Sequence, residues 1–535
     1  MRGNHRRAAL VATPVVFGVF VLWTIQVGGQ PPQPAQKNVD VAGEPSLADV
    51  GRCILCHGSS PEELNDAFPE AHELILGNES RTWNKLDMHR KAYASLESEL
   101  GQQMTKILRQ AWDVKNPNWK VQDEAKCLTC HALDKKPKEA NKSLADYDCR
   151  FGVSCEVCHG FASKWDTPHS NKKWREESPK DKAKVGELDM RDPNERAKKC
   201  SACHVGNLAE GKFVTHEMYA AGHPPLPPFE VASFSRDQKM HRNEKDVVYF
   251  GKLSDSDSWR LFHYRKGESQ VARQLAVGAI VTLQSAMQLL VDELKRGEVG
   301  KSDHSLDFAH FDCYACHHDL KYQSERQKRR FEGAPGRPQI RSGGFALTRI
   351  VAQHAAENLK LDLKLDGKDF TTLLKELEDV FRQRPFGQTG EVHGKATKLI
   401  DWADKAITEL SQDKLLYSPD QTRNLMLLIM EEVGSSKTEW LDPDSAQQLI
   451  WAAETLRNEV EGGKTGPIAE RWNTLEQKSA KSPVCPRLVR TNYENENLLA
   501  DQLKDRFRFI NDFRLDPLRE MFLQLSAVAK GEAPK

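Results

Sequence analysis

The chain has no excess of charge of either sign: 77 lysines and arginines meet 77 aspartates and glutamates. Nucleic acid is held by a surplus of basic side chains, so this balance speaks against such a partner, and no acidic tail suggests a solvating segment. Partners have to be argued from sites. Long apolar runs are scarce as well; few fall between Ser46 and Phe250, where Pro, Gly, Lys and Asp are frequent. A stretch of that composition is short of side chains for a core of its own, so its interior needs another filling. The 535 residues are enough for two or three domains.

The N-terminus departs from this pattern. Arg2, Arg6 and Arg7 precede an apolar run from Ala8 to about Val27, "AALVATPVVFGVFVLWTIQV". At about 20 residues the run matches the hydrocarbon core of a bilayer and exceeds the apolar region of most cleaved signals. Residues 1–28 therefore read as a membrane anchor, with a cleaved signal as the alternative, and residues 29–48 as a linker. The positive-inside rule keeps the arginines cytoplasmic and exports the remainder of the chain, to the periplasmic face of a bacterial inner membrane.

Twelve cysteines in an exported chain first suggest disulfides, but ten fall in five copies of one pattern. These are Cys53, Cys56 and His57; Cys127, Cys130 and His131; Cys155, Cys158 and His159; Cys200, Cys203 and His204; and Cys313, Cys316 and His317. In Cys-x-x-Cys-His, two thiols add across the vinyl groups of one porphyrin and the histidine becomes the proximal ligand of its iron. Zinc sites would combine cysteine pairs into four-ligand sets and leave the repeated histidine unexplained. A redox dithiol would need one Cys-x-x-Cys, not five. Five covalent c-type haems are expected, and they account for the missing core. Cys149 and Cys485 remain, as a disulfide, as two buried thiols, or with Cys149 as a reactive or iron-ligating thiolate.

Five irons need partners on their far sides. His89, His169, His216, His223, His304, His310 and His318 lie near the motifs, and Met88, Met190 and Met218 are rival ligands that would raise a potential. The excess of histidines favours bis-His ligation. His216 and His223 stand seven residues apart in "THEMYAAGHPP". On a helix they would share a face about 10 Å apart, too far for one iron and suited to two. Gly222 leaves room for close approach, and Pro224 ends any helix there. His318 directly follows His317, so it cannot reach the far side of the same iron and would serve a neighbour.

"GVSCEVCHG" followed by Trp165 and His169, then "CSACHVG", "THEMYAAGHPPLPPFE" and "FDCYACHHDL", resembles multihaem cytochromes related to cytochrome c-554 and hydroxylamine oxidoreductase. The resemblance runs from about Val50 to Leu320. It implies His89, His169, His216 and His223 as distal ligands, haems packed in parallel and perpendicular pairs, and His318 as ligand to a different haem. The fifth motif and the long C-terminal region depart from the family pattern, so only a redox role carries over.

From Ser269 to Arg296, Val271, Leu275, Ile280, Leu283, Met287, Leu290 and Leu294 recur at helical spacing and predict a packing helix. Beyond "RFEGAPGRP", the pairs Ser418-Pro419 and Asp442-Pro443 announce helix starts. The fold expected is mainly α with much irregular loop: a multihaem core over residues 49–333 and an α-helical domain over 334–535. The helical domain covers the haem core or docks a redox partner. The leading expectation is an electron carrier between a membrane donor and a soluble acceptor. The rival is an oxidoreductase acting on a small nitrogen or sulfur compound at a five-coordinate haem, with Tyr219, Tyr249, His241, His263 or Arg236 moving protons.

Overall fold

The computed structural model describes residues 50–58, 79–132, 149–237, 267–298 apart from 270, 306–317, and, with short breaks, 337–478 and 513–532. The apolar run at residues 8–27, His241, Tyr249, His263, His304, His318 and Cys485 lie outside them. Helices and irregular loops make up the described residues, joined by isolated bridges such as Phe311 to Ile340. The mainly α fold class is what the sequence predicts.

In the motif region the helices are short: α1 (Val50–His57), α2 (Glu79–Leu86), α3 (Glu99–Ala111), α4 (Ala125–His131), α5 (Cys155–His159), α6 (Pro193–His204), α7 (His216–Ala220) and α8 (Val231–Asp237). Side-chain cores are correspondingly small there. One cluster gathers Tyr93, Leu96, Met104, Leu108, Val121 and Ala221, and another only Val153 and Val157.

The large core belongs to α9 (Ala272–Glu298), the helix predicted from the apolar spacing. Leu275, Ile280 and Leu283 are fully buried, and Leu290 and Leu294 nearly so. Burying each such side chain stabilises by about 1.5–3 kcal/mol. The helix is long and apolar enough to cross a bilayer, but 78% of its apolar window is buried in the protein, so its role is packing. At Gly278 a Cβ would stand 2.0 Å from Val231 Cγ1, so only glycine lets α8 come this close to α9.

Around α9 pack α10 (Phe345–Glu357), α11 (Phe370–Gln383), α12 (Thr389–Leu410), α13 (Pro419–Gly434), α14 (Pro443–Val460), α15 (Pro467–Lys478) and α16 (Leu515–Lys530), in one apolar cluster running from Ala197 to Ala529. The two announced starts are present: Ser418 accepts from the Gln421 N–H and Asp442 from the Ser445 N–H. A third of the same kind places a motif. Asp192 caps α6 with Pro193 in its first turn, and Ala197, Ser201 and Ala202 on α6 are buried. The fourth motif, at the end of α6, is thereby fixed to the main core.

Candidate haem centres

Four motifs sit on α1, α4, α5 and α6, and the fifth on a single 3-10 turn, Cys313–Ala315. On a helix, positions i, i+3 and i+4 share a face, so each pair of thiols and its histidine point the same way.

Four motif histidines face a second imidazole. Ring centres are 6.2 Å apart for His57 and His169, 6.2 Å for His89 and His204, 6.3 Å for His131 and His223, and 6.3 Å for His216 and His317. Two metal–imidazole bonds of about 2 Å, each extended by about 1.2 Å from nitrogen to ring centre, would give roughly 6.4 Å across one iron. The pairs fit that group. Among the described residues no three His, Cys, Asp or Glu side chains gather around one point, which leaves a zinc reading without its ligand sets.

Five of the rings are held by Nδ1. Nδ1 of His57 lies 3.4 Å from Glu79 Oε2, and Nδ1 of His89 lies 2.9 Å from Asp87 Oδ1. Nδ1–H donates to the carbonyls of Ala92 from His131 at 2.8 Å, Trp165 from His169 at 3.0 Å, and Pro224 from His223 at 2.8 Å. This fixes the tautomer and leaves Nε2 as the coordinating atom.

Burial opposes charge at six of these rings. It lowers His131 and His169, brings His204 to about 3 with the neighbouring His89 adding to it, and brings His223 to about 4. Neutral imidazole is the form that binds metal. At His57 and His89 burial is outweighed by Glu79 and Asp87, and both pKa values rise. A carboxylate on Nδ1 makes a ligating imidazole more basic. None of these acceptors was read from the sequence. Asp87 had a local signal, lying two residues before His89 and accepting also from its backbone N–H; Glu79 and the carbonyls had none.

His216 and His223 reach different partners, but not from one helical face. α7 covers only His216–Ala220, after which Gly222 turns the chain at φ 114°. The ring facing His317 of the fifth motif is His216; His310 instead stacks on Phe213 and pairs with Glu293. His159, in the third motif, closes α5 with its carbonyl accepting from Leu188 N–H at 3.0 Å. Cys149 carries a free thiol that meets the Tyr93 hydroxyl.

Thiols of different motifs also meet. Cys53 hydrogen-bonds with Cys155, and Cys130 with Cys203. Cys158 lies near enough to Cys200 to help burial raise that thiol to about 12. These contacts bring the first motif to the third, the third to the fourth, and the fourth to the second.

No curated protein and no solved structure matches the chain. The family model for cytochrome c554 and c-prime matches residues 70–160, a span that holds His89 and the second and third motifs. The chain therefore resembles the multihaem c-type cytochromes over that segment, and the match supports a c-type cytochrome with covalently bound haem iron.

Proposed function

We propose that the chain is a pentahaem electron carrier, anchored by residues 8–27 to the periplasmic face of a bacterial inner membrane. Redox proteins of the membrane and periplasm are its partners. The observation that carries this reading is the set of four imidazole pairs at 6.2 to 6.3 Å, each joining a motif histidine to one far away in sequence. Haem iron, when bound, supplies reversible one-electron transfer.

The chain's own residues set the terms of that chemistry. At the first, second, fourth and fifth motifs two facing imidazoles would hold the metal between them and would leave no position there for substrate or water. Glu79 and Asp87 raise the basicity of the His57 and His89 rings, which would favour the oxidised state of a metal held there. Thiol contacts bring the motifs together in an order unlike that of the sequence: first, third, fourth, second. The segment from His216 to His223 then joins the second motif to the fifth, since its two histidines face His131 and His317. Haems held at these motifs would form one chain for electrons whose ends are the first and fifth motifs.

Low-temperature electron paramagnetic resonance of the oxidised, full-length protein tests this reading. Low-spin signals from at least four haems are expected. A dominant high-spin spectrum that changes when a small nitrogen or sulfur ligand is added would replace the carrier with an enzyme.

A further inference from the structure

Between α9 and the segment that carries His216 and His223 lies a small cavity of about 90 Å³. Against walls that include His204 and Met287, it gathers Tyr219, His310, Arg341 and Asp444. None of the motif cysteines lines it among the described residues. Apolar walls with a few converging polar groups are the usual make-up of a ligand site; the volume is too small for a large ligand and suits a group the size of a carboxylate.

Arg341 is fixed in place from behind. Its N–H donates to the His310 carbonyl at 2.7 Å, beside the bridge between Phe311 and Ile340. Its guanidinium donates to the Leu226 carbonyl and meets the Tyr219 hydroxyl. Asp444 is 3.5 Å away. A closed charge-assisted pair measures about 2.7–2.9 Å, so this carboxylate does not complete the fork. Asp444 also has a reason of its own to be there, in the first turn of α14, where the helix dipole favours a negative charge. Guanidinium offers five donors in one plane, and three acceptors meet them among the described residues. Tyr219 is oriented by its ring, which stands edge-on to His223 at 5.9 Å.

We infer that Arg341 and Tyr219 form a clamp for a carboxylate or similar small oxyanion entering this cavity. Two sources offer that chemistry: a carboxylate side chain of a neighbouring porphyrin, which rests on the cytochrome reading above, or a free small anion. A planar fork with an adjacent hydroxyl suits either, and a lysine at position 341 would keep the charge while losing the fork.

The test uses the full-length, haem-loaded protein and three variants, Arg341→Gln, Arg341→Lys and Tyr219→Phe. Haem midpoints are read by redox titration, and binding of acetate and of inorganic sulfate by calorimetry. If the porphyrin supplies the carboxylate, all three variants lower the midpoint of the same haem and the parent protein binds neither anion saturably. If the anion is free, the parent binds acetate or sulfate, and Arg341→Gln weakens this by roughly tenfold to a hundredfold, the worth of a charged hydrogen bond. The clamp is overturned if Arg341→Lys and Tyr219→Phe keep the parent midpoints and the parent binds neither anion. Arg341 would then be a structural partner of Asp444, whatever Arg341→Gln does to folding. Intact mass of the same samples reports haem content, so failure of the cytochrome reading would be visible separately.

Discussion

The imidazoles of His57 and His169 lie parallel, at 8° between planes and 6.2 Å between centres, although one belongs to the first motif and the other lies beyond the third. His169 is braced by Trp165, whose carbonyl takes its Nδ1–H and whose ring stands edge-on to it at 5.3 Å. Replacing His169 with Ala removes the imidazole that faces His57 and leaves every thiol in place. One haem becomes high-spin and the others are unchanged, with haem content by mass unaltered. A fully low-spin spectrum from this variant would contradict the pairing.

His216 and His223 face histidines of different motifs, so their variants are expected to differ. His216→Ala perturbs the haem of the fifth motif, and His223→Ala that of the second. In each case one new high-spin signal is expected, and the double variant shows both, because the two sites share no ligand. The corresponding Met variants keep six-coordination and raise one potential each. Equal effects on the same haem would mean that the segment is arranged otherwise.

Asp87 is almost fully buried, with a side-chain exposure of 3%, and its Oδ1 faces both the backbone N–H and the ring of His89. Asp87→Asn keeps the shape and removes the charge that makes the imidazole more basic. One midpoint potential should rise, because a less basic ligand stabilises the oxidised iron less. Redox titration followed in the visible spectrum checks this. An unchanged set of potentials would show that Asp87 only caps the turn at His89.

Much of this was legible in the sequence because it is written in local chemistry. Cys-x-x-Cys-His spacing depends on a few adjacent residues, as do the caps at Ser418 and Asp442, and periodic apolar residues expose α9 to simple inspection. Pairing is different. That His216 faces His317, and His57 faces His169, is set by how distant segments pack, and nothing in a one-dimensional pattern records it. The ring facing the fifth motif comes from α7, far from it in sequence, although His310 stands much closer along the chain. Nδ1 acceptors such as the Ala92 carbonyl are backbone atoms, identical in every residue, and leave no trace in sequence. The turn at Gly222 shows the same limit: glycine and proline announced a break, but the chain there is placed by burial of Ala221 in the cluster of Leu96, Met104 and Leu108.

The helical region carries its own pH dependence. His354 is fully buried on α10, stacked on Tyr417 at 6.0 Å, with Nε2 3.1 Å from the Gln421 carbonyl. Burial pushes its pKa down to about 4 from an ordinary 6.5. Between those values the unfolded chain takes up a proton that the folded chain refuses, so its contribution to stability rises with pH across the window and is lost toward acid. The loss is about 3 kcal/mol at one pKa unit per 1.36 kcal/mol. His354→Phe should therefore flatten the dependence of denaturant midpoint on pH between 4 and 6.5. A slope equal to the parent's would show that His354 does not titrate on unfolding.

The central claim is that each of the five Cys-x-x-Cys-His motifs holds its own haem, and the mass of the intact, denatured chain tests it most directly. Thioether bonds survive denaturation, whereas ligand bonds to iron from histidine do not hold a haem on an unfolded chain. The account predicts the mass of the polypeptide plus five haem groups. A mass corresponding to four or fewer, in protein matured in a host able to attach c-type haem, would contradict it.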